Sequence, residues 1–313
     1  MDCATALRLH EGMLLTRVTE ERLVALYRQG ATLGSVYRSL GQEATACATA
    51  MALGPDDVIA PLIRNLGSML VRGVSPEEMF LQYLGRATGP TGGREHNNHF
   101  GSIARGIVAP TSMLGALIPV MAGVALSFKQ AGEARVAMTW IGDGGSSTGA
   151  FYEGLNFAVV QNLPLIVVGE SNGYAYSTPP EKQMKGRLAE RSQGAFTLEV
   201  DGNDAPGVFA AAAEARARCL RGEGPVFLVC ETFRMKGHAE HDDQRYVDKD
   251  LLAAWAEKDP LPRFEAWLAL KGWTPEPGLR GRLEAEVAAQ ADRALAAPWP
   301  DPSGLLVGRT AAP

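Results

Sequence analysis

The stretch ARVAMTWIGDGGSSTGAFYEGLNFAVVQNLPLIVVGESNG, Ala134–Gly173, decides the fold. An apolar run over 134–141 ends in the turn Gly142-Asp143-Gly144. A helical stretch follows from Gly149 to Val160. A second apolar run, 163–170, ends in Ser171-Asn172-Gly173. Near-continuous apolar strands separated by a helix are the pattern of a parallel sheet covered on both faces. Ligands in such doubly wound sheets sit at the carboxyl ends of the strands. Both turns are therefore expected on one sheet edge, side by side.

A helix starting just after Gly145-Ser146-Ser147 would offer N–H groups and a dipole to an anion, and glycines let backbone approach it closely. Asp143 beside a phosphate is repulsive unless a cation lies between them. Magnesium takes oxygen ligands and shares them with phosphates. Asn172 supplies a neutral oxygen, and the carbonyl of Tyr174 a third. The residues thus suggest a magnesium-bridged diphosphate. The turn lacks the third glycine of GxGxxG, which would fall at Ser147, and no GK[ST] makes a P-loop. A lone GDG can be a bare structural turn; the Asn at a matched strand end is what points to a site.

Working outward, residues 5–29 carry apolar spacing for a helix, and SLGQEATACATAMALG adds an Ala-rich second one. Residues 57–62 form a short strand candidate, and SPEEMFLQYLG from Ser75 starts like a capped helix. Residues 87–111 have no period and are expected to be a functional loop. A helix over 114–132, a short strand TLEV (197–200), a helix from Ala205 to Arg221 and a strand over 224–233 continue the alternation. Helices are predicted over 250–257, 262–271 and 278–297, followed by a Pro-rich extended arm. The simplest organisation is one domain over 1–313. It has a helical N-terminal segment, 1–53, and a C-terminal helical extension from about 249 to 313.

The 313 residues are 46% hydrophobic and 21% charged, as in an ordinary globular protein. A net charge of −5 without a basic stripe argues against nucleic acid. No apolar run approaches the ~20 residues of a membrane span. Cys3, Cys47, Cys219 and Cys230 are scattered without metal or disulfide spacing, and MDCATALRLHEG has no signal-peptide pattern. A cytoplasmic setting is the expectation.

Five motifs in order, GQEA (41–44), GDG with YEGLNFA (152–158), SNGYA (171–175), VDGND (200–204) and Gly237-His238, carry a resemblance. Asn172 follows GDG after one βα unit, the spacing of the thiamine-diphosphate motif. Over nearly its whole length the chain resembles the alpha subunit of the thiamine-diphosphate-dependent, decarboxylating component of 2-oxo acid dehydrogenases. The resemblance implies a thiamine-diphosphate-binding fold. It implies magnesium held by Asp143, Asn172 and the Tyr174 carbonyl, with Gly144 and Gly145 on the diphosphate. Arg64 matches a diphosphate-pairing Arg, although Ile63 stands where the family usually has Tyr. Ser112 and Leu114 match backbone contacts to the aminopyrimidine. No potassium site is implied, because Ala116 and Leu117 stand at its positions. His238 matches an active-site His, both catalytic and cofactor-binding, and Asp242 and Asp243 are expected to orient its loop. Ala239 replaces a serine that is phosphorylated in some relatives. His96 and His99 are left as loop residues near the entrance.

The implied reaction is decarboxylation of a small 2-oxo acid, pyruvate or branched-chain. The acyl group passes to the lipoyl group of an acyltransferase component. The implied assembly is an α2β2 heterotetramer, with the activating Glu on a beta subunit and no activity for this chain alone. An acetoin dehydrogenase alpha subunit is the alternative within that chemistry; a split transketolase half fits GQEA and the Gly-His loop poorly. An inactive partner-binding paralogue is the alternative of another class.

Overall fold

The computed structural model describes residues 1–306. Five strands form one parallel sheet: β1 (Val58–Ala60), β2 (Ala137–Gly142), β3 (Leu165–Ser171), β4 (Phe196–Asp201) and β5 (Val226–Glu231). They lie in the order β1-β2-β3-β5-β4. β2 pairs directly with β3, and Gly142 stands opposite Glu170. The two turns expected side by side are therefore neighbours.

Alternation along the strands feeds two cores. Met138, Trp140, Ile166, Val168, Val226 and Leu228 pack on one face. Ala137, Ile141, Leu165, Val167, Phe227 and Val229 pack on the other. Helices α5 (Leu117–Ala131) and α6 (Gly149–Val160) cover the second face. Gly154 lets them touch: a Cβ there would lie 2.7 Å from Pro119 N. On the first face α7 (Ala205–Leu220) packs against the strands, and α1 (Cys3–Arg28), α2 (Glu43–Met51), α3 (Leu66–Val71) and α4 (Pro76–Tyr83) join the same core. Helix crossovers on both faces make the α/β architecture the apolar pattern predicts.

Helix boundaries follow local chemistry. Asp2 caps α1 by accepting from Thr5 N, and Ser75 and Glu78 form a reciprocal capping box on α4. The sequence reading missed α3: LGSMLV is only six residues and shows no helical period. Of the C-terminal helices α8 (Lys249–Ala256), α9 (Pro260–Leu270) and α10 (Leu279–Ala296), the last two bury Phe264, Leu268, Leu283 and Val287 in the first core. The Pro-rich arm is not simply extended. It accepts from Ala87 N at Pro298 O, lays Trp299 over Arg86, and coils into a 3₁₀ turn at Pro302–Leu306. Its last part, 307–313, lies outside the described residues. No helix among the described residues is long and apolar enough to cross a membrane.

The motif GQEA is a hub beneath the carboxyl edge. Glu43 pairs with Arg17 and accepts from Gly41 N at 2.9 Å. Thr232 donates to Asn203 Oδ1 at 2.6 Å and lies 3.1 Å from Gly41 O; Thr45 donates to Gly202 O at 3.1 Å. Two distant motifs, GQEA and VDGND, are thereby tied to the end of β5.

Candidate active site

Four strand ends converge on one cleft of ≈ 490 Å³. β1 leads into Leu62-Ile63-Arg64, β2 into Gly142–Gly145, β3 into Glu170–Tyr174, and β5 into Arg234 and His238. The positions expected to hold metal, cofactor or substrate line it: Arg64, Ser112, Leu114, Asp143, Gly144, Gly145, Asn172, Tyr174 and His238.

Asp143 and Asn172 are both buried. Asp143 Oδ1 accepts from Gly144 N at 2.7 Å, whereas Oδ2 has no partner. Asn172 Nδ2 donates to Gln42 Oε1 at 3.0 Å, which turns Oδ1 away from Gln42; that oxygen has no partner either. Two buried oxygens without donors are costly unless something else satisfies them. Burial pushes the Asp143 carboxyl up to about 6, against the opposing pull of the Gly144 N–H and Arg234. A divalent cation would satisfy both oxygens and favour the ionised carboxylate. The donor set, one carboxylate and one amide, suits a hard cation sharing its remaining positions with phosphate. A Cβ at Gly142 would meet nothing within 4 Å, so the strand end leaves open space at the cleft floor. These residues fit a metal-bridged diphosphate.

The helix-terminus expectation needs correction. Gly145–Ser147 forms a 3₁₀ turn, so the N–H groups of Ser146, Ser147 and Thr148 bond back to 143, 144 and 145. Thr148 then caps α6 through Phe151 N. Along this turn the cleft reaches no further than Gly145, and the start of α6 lies beyond it. The Tyr174 carbonyl is also already engaged, accepting from Arg234 Nη1 at 3.1 Å. A carbonyl has a second lone pair, so a cation would share this oxygen with Arg234.

Arg64 is buried, and burial, with Arg234 nearby, lowers its guanidinium to about 10. It donates to Arg38 O at 3.2 Å and to His238 O at 2.6 Å, and its Nη2 lies 3.0 Å from His238 Nδ1. Because a guanidinium only donates, His238 Nδ1 accepts and its proton sits on Nε2. Burial, then Arg64 and Arg234, lowers this imidazole to about 4. His238 is therefore neutral near pH 7 and presents a donor. Asp242 orients its loop, accepting from His238 N at 2.6 Å and Tyr246 OH at 2.5 Å. Asp243 faces solvent and pairs with Arg245 instead.

Arg234 escaped the sequence reading. It is buried and donates to Lys236 O, Tyr174 O, Tyr176 O and Tyr246 OH, tying the loops after β3 and β5 together. Its place just past an apolar strand end was the available signal. Glu170 was missed likewise: it ends LIVVGE, accepts from Asn65 Nδ2 at 2.7 Å, and burial pushes it up to about 7. His99 lies with Nε2 3.4 Å from Ser112 Oγ, at the cleft wall, whereas His96 packs against Gly34. Arg234→Met leaves three carbonyls and a phenol short of a donor. It is expected to cost roughly 2–4 kcal/mol in urea unfolding and to open residues 171–194 to proteolysis. An unchanged midpoint would show that the loops hold without it.

A model of the family described as "Dehydrogenase E1 component" matches residues 11–303. The chain is 39% identical over 270 residues to the pyruvate dehydrogenase E1 component subunit alpha of Bacillus cereus, covering 84% of this chain and 70% of that one. The Bacillus subtilis protein of the same name matches to the same extent. The Staphylococcus aureus one is 39% identical over 269 residues, with the same coverage. The chain belongs to the dehydrogenase E1 component family.

Proposed function

We propose that this chain is the alpha subunit of a heterotetrameric enzyme that decarboxylates a 2-oxo acid and passes the acyl group to a lipoyl domain. The observation that carries the reading is the pair of unpartnered oxygens, Asp143 Oδ2 and Asn172 Oδ1, in a cleft with two buried arginines. When bound, thiamine diphosphate supplies the carbanion that adds to the oxo carbon and the sink for the electrons released with carbon dioxide.

Asp143, Asn172 and the Tyr174 carbonyl would hold magnesium. Arg64, Gly144 and Gly145 would hold the diphosphate, a guanidinium being suited to two phosphoryl oxygens at once. Ser112 and Leu114 would meet the aminopyrimidine. Both are exposed, Leu114 by 59%, so the cleft is open on that side, which supports a partner subunit closing it. His238 would keep its proton on Nε2 and donate it as a hydrogen bond to a carboxylate or developing oxyanion of the substrate. Pyruvate is the first substrate to test, because it is in the names of the relatives.

Carbon dioxide release should be measured with pyruvate, branched-chain 2-oxo acids and acetoin, with magnesium and thiamine diphosphate. It is expected only when a beta subunit is co-purified. Turnover by this chain alone, or no decarboxylation of any 2-oxo acid by the complex, would sink the proposal.

A further inference from the structure

Tyr37 lines the cleft from the segment between α1 and α2. Its ring lies 5.9 Å from the Arg64 guanidinium and stands edge-on to His238, centroids 5.3 Å apart. Its backbone is tethered on both sides. Val36 O accepts from Glu240 N at 2.9 Å, Arg38 O accepts from Arg64, and Ser39 N donates to buried Glu20 at 2.9 Å. The position of the ring is therefore set by the fold.

The phenol hydroxyl bonds to no described residue, and Tyr37 is half-buried and lines the cleft. Arg234 is committed to three carbonyls and Tyr246, whereas Arg64, bonded to Arg38 and His238, keeps its Nε donor and one Nη1 donor for an anion. Ile63, next to Arg64 on the same wall, has no polar side-chain atom. A nearby guanidinium repels a hydroxyl proton and turns it toward an incoming anion.

We propose that the Tyr37 hydroxyl donates a hydrogen bond to a phosphoryl oxygen of the bound diphosphate, beside Arg64. This rests on the diphosphate reading of the cleft. It gives this chain a cofactor-binding residue outside the five motifs, on the segment between α1 and α2 that the fold brings to Arg64.

The test is calorimetric titration of the full chain with inorganic pyrophosphate and magnesium, comparing wild type with Tyr37→Phe. The variant keeps the ring and loses only the oxygen. It is expected to bind about tenfold more weakly, as for a lost hydrogen bond to a charged group, with an unchanged melting temperature. Equal affinity overturns the inference and leaves the diphosphate reading intact. Absence of binding by the wild type overturns the reading itself, and the inference with it. A loss of affinity accompanied by altered ¹⁵N shifts of the His238 ring traces to a displaced Arg64–His238 pair, and likewise overturns it.

Discussion

Asp143→Ala is expected to abolish magnesium-dependent binding of thiamine diphosphate, a loss of at least about a hundredfold. Asp143 is the one carboxylate at the meeting of the β2 and β3 turns that has a buried, unpartnered oxygen. Without it the cation keeps only neutral ligands from this chain, and the diphosphate faces the cleft without its bridge. The folded chain should survive. Burial penalises this carboxylate, so the alanine variant is expected to melt no lower than wild type in the absence of metal. Calorimetry with and without magnesium measures the first effect and a thermal scan the second. A variant with wild-type affinity would show that the metal is held elsewhere.

Arg64→Gln is expected to change two quantities together. Affinity for the diphosphate should fall roughly 30- to 100-fold, the scale of a lost charge-assisted contact. His238 should also titrate higher than in the wild type, while burial and Arg234 still hold it below the ordinary histidine range. Its imidazole is held at about 4 by burial and then by Arg64 and Arg234. A histidine depressed on folding contributes stability that is present above pH 6.5 and lost as pH falls through about 4. Removing Arg64 should therefore raise its pKa and reduce that loss on acidification. NMR of the ring nitrogens between pH 4 and 8 reads both protonation and tautomer. The wild type should show an Nε2 proton and no titration above pH 5. A wild-type ring that titrates near 6.5 would remove the basis for a neutral donor.

Much of this site was legible in the sequence, because its residues sit where strand periodicity ends. Asp143 and Asn172 follow apolar runs whose lengths place both turns on one edge, and β2 does pair with β3. Arg64, Ser112, Leu114 and His238, which the resemblance implies for the cofactor, also line the cleft. What escaped has a common physical cause: it depends on which distant segments meet. Arg234 matters because the loops after β3 and β5 converge on its guanidinium, and no local pattern states that. Tyr37 approaches Arg64 from a segment without helical or strand period. Helix α3 is too short to show a repeat. The glycines of the β2 turn predict a helix start, and hence an anion site, directly after them. A 3₁₀ turn intervenes instead and uses those N–H groups internally.

The central claim is that this chain's cleft holds a divalent cation bridged to a diphosphate. Pulsed EPR on the full chain with Mn²⁺ in place of magnesium, and thiamine diphosphate, tests it most directly. Bound Mn²⁺ is predicted to show hyperfine coupling to ³¹P, absent in Asp143→Ala. An Mn²⁺ spectrum that stays fully aqueous, or phosphorus coupling that persists in Asp143→Ala, would contradict it.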